Sequence, residues 1–183
     1  MVILAVVSIL SSCSYAQKTS ENKKILIVYY SWSEGKNTQA VAQQIQQATG
    51  GDIVEIVPSV PYPSDYQVCV DQAKKEIAEN YKPALQSKVE NIERYDIIFV
   101  GTPNWWSTMA PPVAAFLSQY NLAGKTVVPF CTHGGGGKAK CLSDMEALCA
   151  KSTVLEGFAI PGNRAKSAQD DVEKWLKEIK IIN

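Results

Sequence analysis

From Lys23 onward, short and solidly apolar runs alternate with longer stretches in which apolar residues recur every three or four positions. Uninterrupted apolar runs suit strands buried on both faces of a parallel sheet, and the longer periodicity suits amphipathic helices lying across it. Residues 24–30 read as the first strand, and a helix follows from Asn37 or Thr38 to about Thr49, where Gly50 and Gly51 stop it. Residues 52–57 read as the second strand, and a Pro- and Tyr-rich connection over 58–66 leads into a polar helix over 68–80. Strands three to five fall at 97–100, 126–131 and 154–159, with helices at 112–120, 141–150 and 170–179. This alternation predicts a three-layer, doubly wound α/β domain on a five-stranded parallel sheet, with right-handed crossovers and ligands bound beyond the carboxyl ends of the strands.

The segment before Lys23 has a different character. Residues 2–10 are apolar apart from Ser8, and small residues follow, which is signal-peptide composition. The run is too short to span a bilayer core, which takes about 20 apolar residues. Two processing routes are open: cleavage after Ala16, or a lipobox reading in which residues 1–12 are removed and Cys13 is acylated. No Lys or Arg precedes Lys18, which weakens both. Either route predicts residues 17–183 as one domain in an extracytoplasmic bacterial envelope, periplasmic or lipid-anchored, with membrane contact only through that anchor.

Composition narrows the chemistry. The 183 residues carry 18 Lys plus Arg against 18 Asp plus Glu, so the basic excess of a nucleic-acid binder is missing. With one histidine, His133, a multi-histidine metal centre is excluded, and no metal site is expected. Cys69, Cys131, Cys141 and Cys149 would remain after processing. Cys141 and Cys149 share a predicted helix about 12 Å apart, too far for a bridge, and all four read as small buried hydrophobes.

Three strand-end loops hold the candidate chemistry. Ser31, Trp32, Ser33, Asn37 and Thr38 surround the start of the first helix, where hydroxyls, amides and the helix dipole suit a phosphate monoester, although a capped turn has the same composition. Thr102, Pro103, Asn104, Trp105 and Trp106 follow the third strand. Two adjacent tryptophans there cannot both face the core, so the pair reads as a stacking platform for a planar ring or as one core residue beside a subunit contact. Thr132, His133, Gly134, Gly135 and Gly136 follow the fourth strand, where glycines let backbone amides approach a ligand or simply permit a turn. Gly134, Gly136 and Ala139 satisfy a dinucleotide fingerprint literally, but a glycine run does so cheaply and this is not the first strand. Gly137 and Lys138 lack the rest of a P-loop, and no nucleophile elbow accompanies His133.

Taken together, these segments resemble the flavodoxin-like family, with its FMN-binding flavodoxins and NAD(P)H-dependent flavodoxin-type oxidoreductases. The resemblance rests on Tyr29 to Ser33 with Asn37 and Thr38, on Pro61-Tyr62-Pro63 with Tyr66, on Gly101 to Trp106, and on Pro129 to Gly135. It implies strand order 2-1-3-4-5 and FMN as cofactor, with the phosphate held by Ser31, Ser33, Asn37 and Thr38. The isoalloxazine would lie between residues 102–106 and 132–136. It further implies electron transfer, or an FMN-dependent NAD(P)H or quinone oxidoreductase, with a redox protein, quinone or small molecule as partner and no catalytic side chain. Tyr62 and Tyr66 are candidate substrate contacts. One departure stands out: Ser33 and Asn37 are separated by two more residues than the family pattern has, with Glu34 opposing and Lys36 assisting a bound dianion. That departure motivates the alternative of a flavin-free, envelope-anchored binding module on the same fold.

Overall fold

The computed structural model describes residues 23–183; the signal-peptide and Cys13 readings lie outside them. In chain order the elements are β1 (Ile25–Tyr29), α1 (Asn37–Thr49), β2 (Asp52–Glu55), α2 (Tyr66–Ala78), β3 (Ile97–Trp105), β4 (Thr108–Met109), α3 (Pro111–Gln119), β5 (Thr126–His133), α4 (Cys141–Leu148), β6 (Thr153–Val154), β7 (Phe158–Pro161) and α5 (Gln169–Glu178). The parallel sheet runs β2-β1-β3-β5, and β6 and β7 both pair with β5 at the far edge. Counting β6 and β7 as one interrupted strand gives the expected order.

Strand pleating divides the core in two. Leu26, Val28, Ile98, Val100 and Val127 face one side with Val113 and Phe116 of α3 and Met145 of α4. Ile27, Phe99, Val128 and Phe130 face the other with Val41 and Ile45 of α1 and Val172, Trp175 and Leu176 of α5. Helices therefore cover both faces, which is why the central strands are apolar throughout instead of alternating. Trp175 closes the second layer by stacking on Phe158 at 5.1 Å, while its Nε1 donates to the Glu156 carbonyl at 2.9 Å.

The structure corrects two expectations. The third strand continues through Trp105, so residues 101–105 are strand and not loop. The fifth breaks between Val154 and Phe158, at Gly157, where a Cβ would stand 2.6 Å from the Pro129 carbonyl oxygen. Such a close approach leaves room for glycine alone.

β3 depends on the same device. It pairs with β1 as far as Gly101 and with β5 as far as Pro103. A Cβ on Gly101 would lie 2.2 Å from the Phe130 ring, itself fully buried. Gly101→Ala is therefore expected to cost about 1–3 kcal/mol through overpacking, read as a lower urea midpoint at unchanged m-value.

Candidate functional site

The carboxyl ends of β1, β3, β5 and β7 open into one cavity of about 760 Å³. Trp32, Ser33 and Asn37 come from the loop after β1, residues 103–106 from the end of β3, Thr132 to Gly135 from the end of β5, and residues 161–163 from the turn after β7. One face of α2, with Tyr66, Cys69, Val70 and Ala73, completes the wall.

Beside the cavity, α1 begins in an unusual way. Lys36 takes the N-cap position in a left-handed conformation (φ 49°), and among the described residues the helix has no side-chain cap and no acidic residue in its first turn. Its leading amides and positive dipole end are left for an external acceptor. Ser31 is 4% exposed, and its Oγ lacks any hydrogen-bond partner among the described residues. The two extra residues are absorbed by a turn, closed by Lys36 N–H donating to the Ser33 carbonyl at 2.8 Å. Glu34 and Lys36 point away from the cavity and line a shallow depression on the outer side of α1, while Ser33 and Asn37 stay at the cavity wall. Gly162 packs so closely on Asn37 that a Cβ would fall 2.5 Å from its Nδ2.

Thr38 and Thr132, expected at the phosphate and at the ring, bond to each other at 2.9 Å and are buried. Together they tie the start of α1 to the end of β5. Thr102 is fully buried and accepts the Ala110 N–H at 2.9 Å, so its hydroxyl holds the chain at the start of α3 and does not face the cavity. Asn104 bridges the two remaining loops, its Nδ2 donating to the Gly137 carbonyl at 2.8 Å and its Oδ1 accepting the Ser107 N–H at 3.0 Å. Gly136 lies behind Asn104, outside the wall. His133 Nδ1 accepts the Gly135 N–H at 3.2 Å. In the neutral ring that bond assigns the proton to Nε2.

The two tryptophans separate as the sequence required. Trp105 packs against the core and meets Tyr62 at 5.0 Å, Tyr30 at 5.6 Å and Trp32 at 6.1 Å between ring centroids, all edge to face. Trp106 is 48% exposed. Trp106 and Ser107 are the central residues of a two-residue hairpin joining β3 to β4, both at positive φ (51° and 68°). Such a turn normally uses Asn and Gly, and a left-handed non-glycine residue costs about 1–2 kcal/mol. Three bonds offset that cost: Trp106 Nε1 donates to the Val70 carbonyl at 3.0 Å, Lys140 N–H donates to the Ser107 carbonyl at 2.9 Å, and Asn104 holds the Ser107 amide. Lys74 sits 5.0 Å over the Trp106 ring.

Tyr62 is buried beneath Trp105 with its hydroxyl donating to Glu76, so the structure removes it from the candidate substrate contacts. Tyr66, 70% exposed, does line the cavity mouth. The α2 face and residues 161–163 were not anticipated. A Pro-Gly-Asn turn closing an apolar run was the available signal for the latter; α2 read in sequence only as a polar helix, with Cys69 a small buried hydrophobe.

A flavodoxin family model matches residues 24–179. The chain belongs to the flavodoxin family. It is similar to a candidate flavoprotein from Bacteroides eggerthii, with 30% identity over 86% of this chain and 98% of that one and a TM-score of 0.75. A second from Bacteroides uniformis has 26% identity over 85% and 98%, also at 0.75. A flavoprotein from Lactobacillus acidophilus, solved in complex with FMN, has 27% identity over 79% and 97% and a TM-score of 0.64. A search of curated proteins finds no match.

Burial sets the tyrosine chemistry of this chain. It pushes the Tyr30 and Tyr62 phenols far above their ordinary value of 10.0, the Glu76 hydrogen bond adding to the shift at Tyr62, and it raises Tyr29 as well. Above about pH 10 the unfolded chain releases these protons while the native state keeps them, so the unfolded state binds fewer protons and stability falls with rising pH. Their contribution is complete below pH 10 and is lost above it, by at most about 1.4 kcal/mol per pH unit for each such group. Thermal unfolding between about pH 9 and pH 11 is expected to show a falling Tm, and Tyr62→Phe a shallower fall.

Proposed function

We propose that this chain binds FMN in the cavity and works as a flavodoxin-type redox protein, its phosphate cradle at the start of α1 and its ring between the Trp105 hairpin and residues 132–135. The observation that carries this reading is the uncapped start of α1 at the cavity wall, together with the buried, unpartnered Ser31 hydroxyl just after β1. A buried hydroxyl without a partner costs about 1–3 kcal/mol, and uncapped amides add to that cost. A phosphate monoester satisfies both sets of donors at once. Ser31, Ser33, Asn37 and the first amides of α1 would hold it. Similarity to an FMN-complexed flavoprotein supports the same group.

When bound, FMN supplies electron exchange in one- or two-electron steps. The protein's own groups govern who reaches it and how charge is met. Trp32 and Trp105 exclude water from the floor of the cavity, which strengthens each hydrogen bond inside. The glycine loop presents backbone amides, and His133 presents the Nε2–H that its bond to Gly135 fixes, so a proton or a donor is held at the rim. Tyr66 and Trp106 form an aromatic mouth at which a flat partner or a protein surface docks. We further infer an envelope location, with a quinone or another membrane-side donor as redox partner, on the strength of the apolar N-terminal segment.

The experiment is an absorption spectrum and FMN titration of the chain from Gln17 onward, with riboflavin as the phosphate-free control. At FMN near 100 times Kd, native-state stabilisation of about 2.7 kcal/mol should raise Tm by about 5–10 °C. Ser31→Ala is expected to leave the Tm of the flavin-free protein unchanged or slightly higher and to weaken FMN about tenfold while leaving riboflavin alone. Colourless protein indifferent to FMN overturns the reading and favours a flavin-free binding module; equal losses for both flavins overturn the phosphate cradle.

A further inference from the structure

We propose that Trp105, Tyr62 and Glu76 form a one-electron relay that carries oxidising equivalents from the cavity wall to the surface of α2. The members stand in line. Trp32 and Trp105 are half-buried in the cavity wall and meet edge to face at 6.1 Å between ring centroids. Tyr62 lies behind Trp105 at 5.0 Å, 8% exposed and outside the cavity lining. Its hydroxyl donates to Glu76 Oε2, and Glu76 Oε1 accepts the Gln72 Nε2–H at 2.8 Å. Glu76 is half-exposed, so the far end of the line meets solvent. Edge-to-face rings at these separations are in contact, and an electron crosses touching rings far faster than it crosses aliphatic packing.

The hydrogen bond to Glu76 gives the line its direction. A one-electron oxidant arising in the cavity, of the class of oxygen-derived radicals, takes an electron from Trp105 and leaves a radical cation inside the fold, where a charge without a partner is costly. Tyr62 then gives one electron to Trp105 and passes its phenolic proton to the Glu76 carboxylate along the bond that already joins them. Trp105 is restored, Tyr62 becomes a neutral phenoxyl radical, and the positive charge ends as a proton on a half-exposed carboxylate. An external one-electron reductant of the ascorbate class reduces the phenoxyl, and the proton returns from Glu76. In sum one electron passes from reductant to oxidant, and the protein is unchanged. Tyr30 supplies a contrast within the same cluster: it is buried and 5.6 Å from Trp105, yet no carboxylate accepts from its hydroxyl among the described residues. A proton moves readily only to a group within hydrogen-bond reach, so oxidation there would leave the charge in the core.

The test uses the full chain without added flavin, with the exposed Tyr66 and Tyr81 replaced by phenylalanine to silence surface phenols. A flash-generated ruthenium(III) polypyridyl complex oxidises it, and transient absorption follows the tryptophanyl and phenoxyl radicals. The tryptophanyl signal should decay as the phenoxyl signal rises, at a rate independent of protein concentration. Tyr62→Phe should remove the rise and Tyr30→Phe should leave it. Glu76→Gln, which keeps a hydrogen-bond acceptor but no base, should slow it about a hundredfold or more. Tyr62→Phe leaves Glu76 its Gln72 partner and its contact with water, so this variant is expected to fold, as circular dichroism would show. The relay is overturned by a rise that survives Tyr62→Phe, by unchanged kinetics in Glu76→Gln, or by a rate that grows with protein concentration. Under sustained oxidation with ascorbate present, peptide mass spectrometry should find oxygen added to Trp105 faster in Tyr62→Phe and Glu76→Gln than in their parent; equal rates overturn it too. None of these readouts needs flavin, so their failure is separate from failure of the FMN reading.

Discussion

Everything at the cavity depends on β3 staying paired on both sides until it has left the core. The pairing continues because Gly101 has no side chain where the Phe130 ring lies, so β5 closes against β3 without a gap or a clash. Past Pro103 the chain is free of β5, and at Trp106 and Ser107 it turns back as β4. Thr102 fixes where that happens, since its buried hydroxyl holds the Ala110 amide across the hairpin base. Trp105 and Trp106 are thus carried on an extension of the central strand, with the rigidity of the sheet behind them. A site presented on regular elements keeps its geometry better than one built on loops alone.

The other two sides of the cavity are tied to this strand by a few polar contacts. Thr38 to Thr132 joins the start of α1 to the end of β5, and Asn104 joins the hairpin to Gly137. Each bond is buried or half-buried, where net hydrogen-bond contributions of about 0.5–1.5 kcal/mol are not diluted by water. Beneath them, edge-to-face contacts among Trp105, Tyr62, Tyr30 and Trp32 contribute on the order of 0.5–1.5 kcal/mol a pair beyond their buried area. At the hairpin itself, the bonds to Val70, Lys140 and Asn104 hold Trp106 and Ser107 in a left-handed turn neither residue favours. Strain of this kind persists only where the surroundings over-determine the backbone.

The layers, the approximate places of the strands and the gathering of three strand-end segments at one cavity were legible because each follows from local pattern: apolar runs for buried strands, glycine and proline punctuation, hydroxyls at a helix start. What was not legible is pairing at a distance. Thr38 and Thr132 each look like a free hydroxyl until the fold brings them together across 94 positions. Tyr62 sits in a Pro-rich connection that reads as surface, and only the approach of Glu76 from α2 and Trp105 from β3 makes it a core residue. The continuation of β3 past Val100 was hidden for a related reason. Gly101 and Pro103 are signals for ending a strand, and here the first is needed for close packing while the second pairs with Thr132 at the last register position.

The two residues added between Ser33 and Asn37 show how such a site tolerates change. In sequence they put an acid and a base into the phosphate loop, and on spacing alone either sign of effect on a bound dianion was open. The fold decides differently: the turn from Ser33 to Lys36 puts the extra length on the outside of α1, with both charges solvated, and returns Asn37 to the wall against Gly162. Exposed charges at that distance act weakly through water. The hydroxyls and amides that a phosphate needs are therefore preserved, and the alteration falls on the solvent-exposed side of α1. Tyr66 and Trp106 are exposed around the mouth of an otherwise buried pocket. The interior is fixed by packing, whereas the rim carries exposed residues on which packing places the weakest constraint.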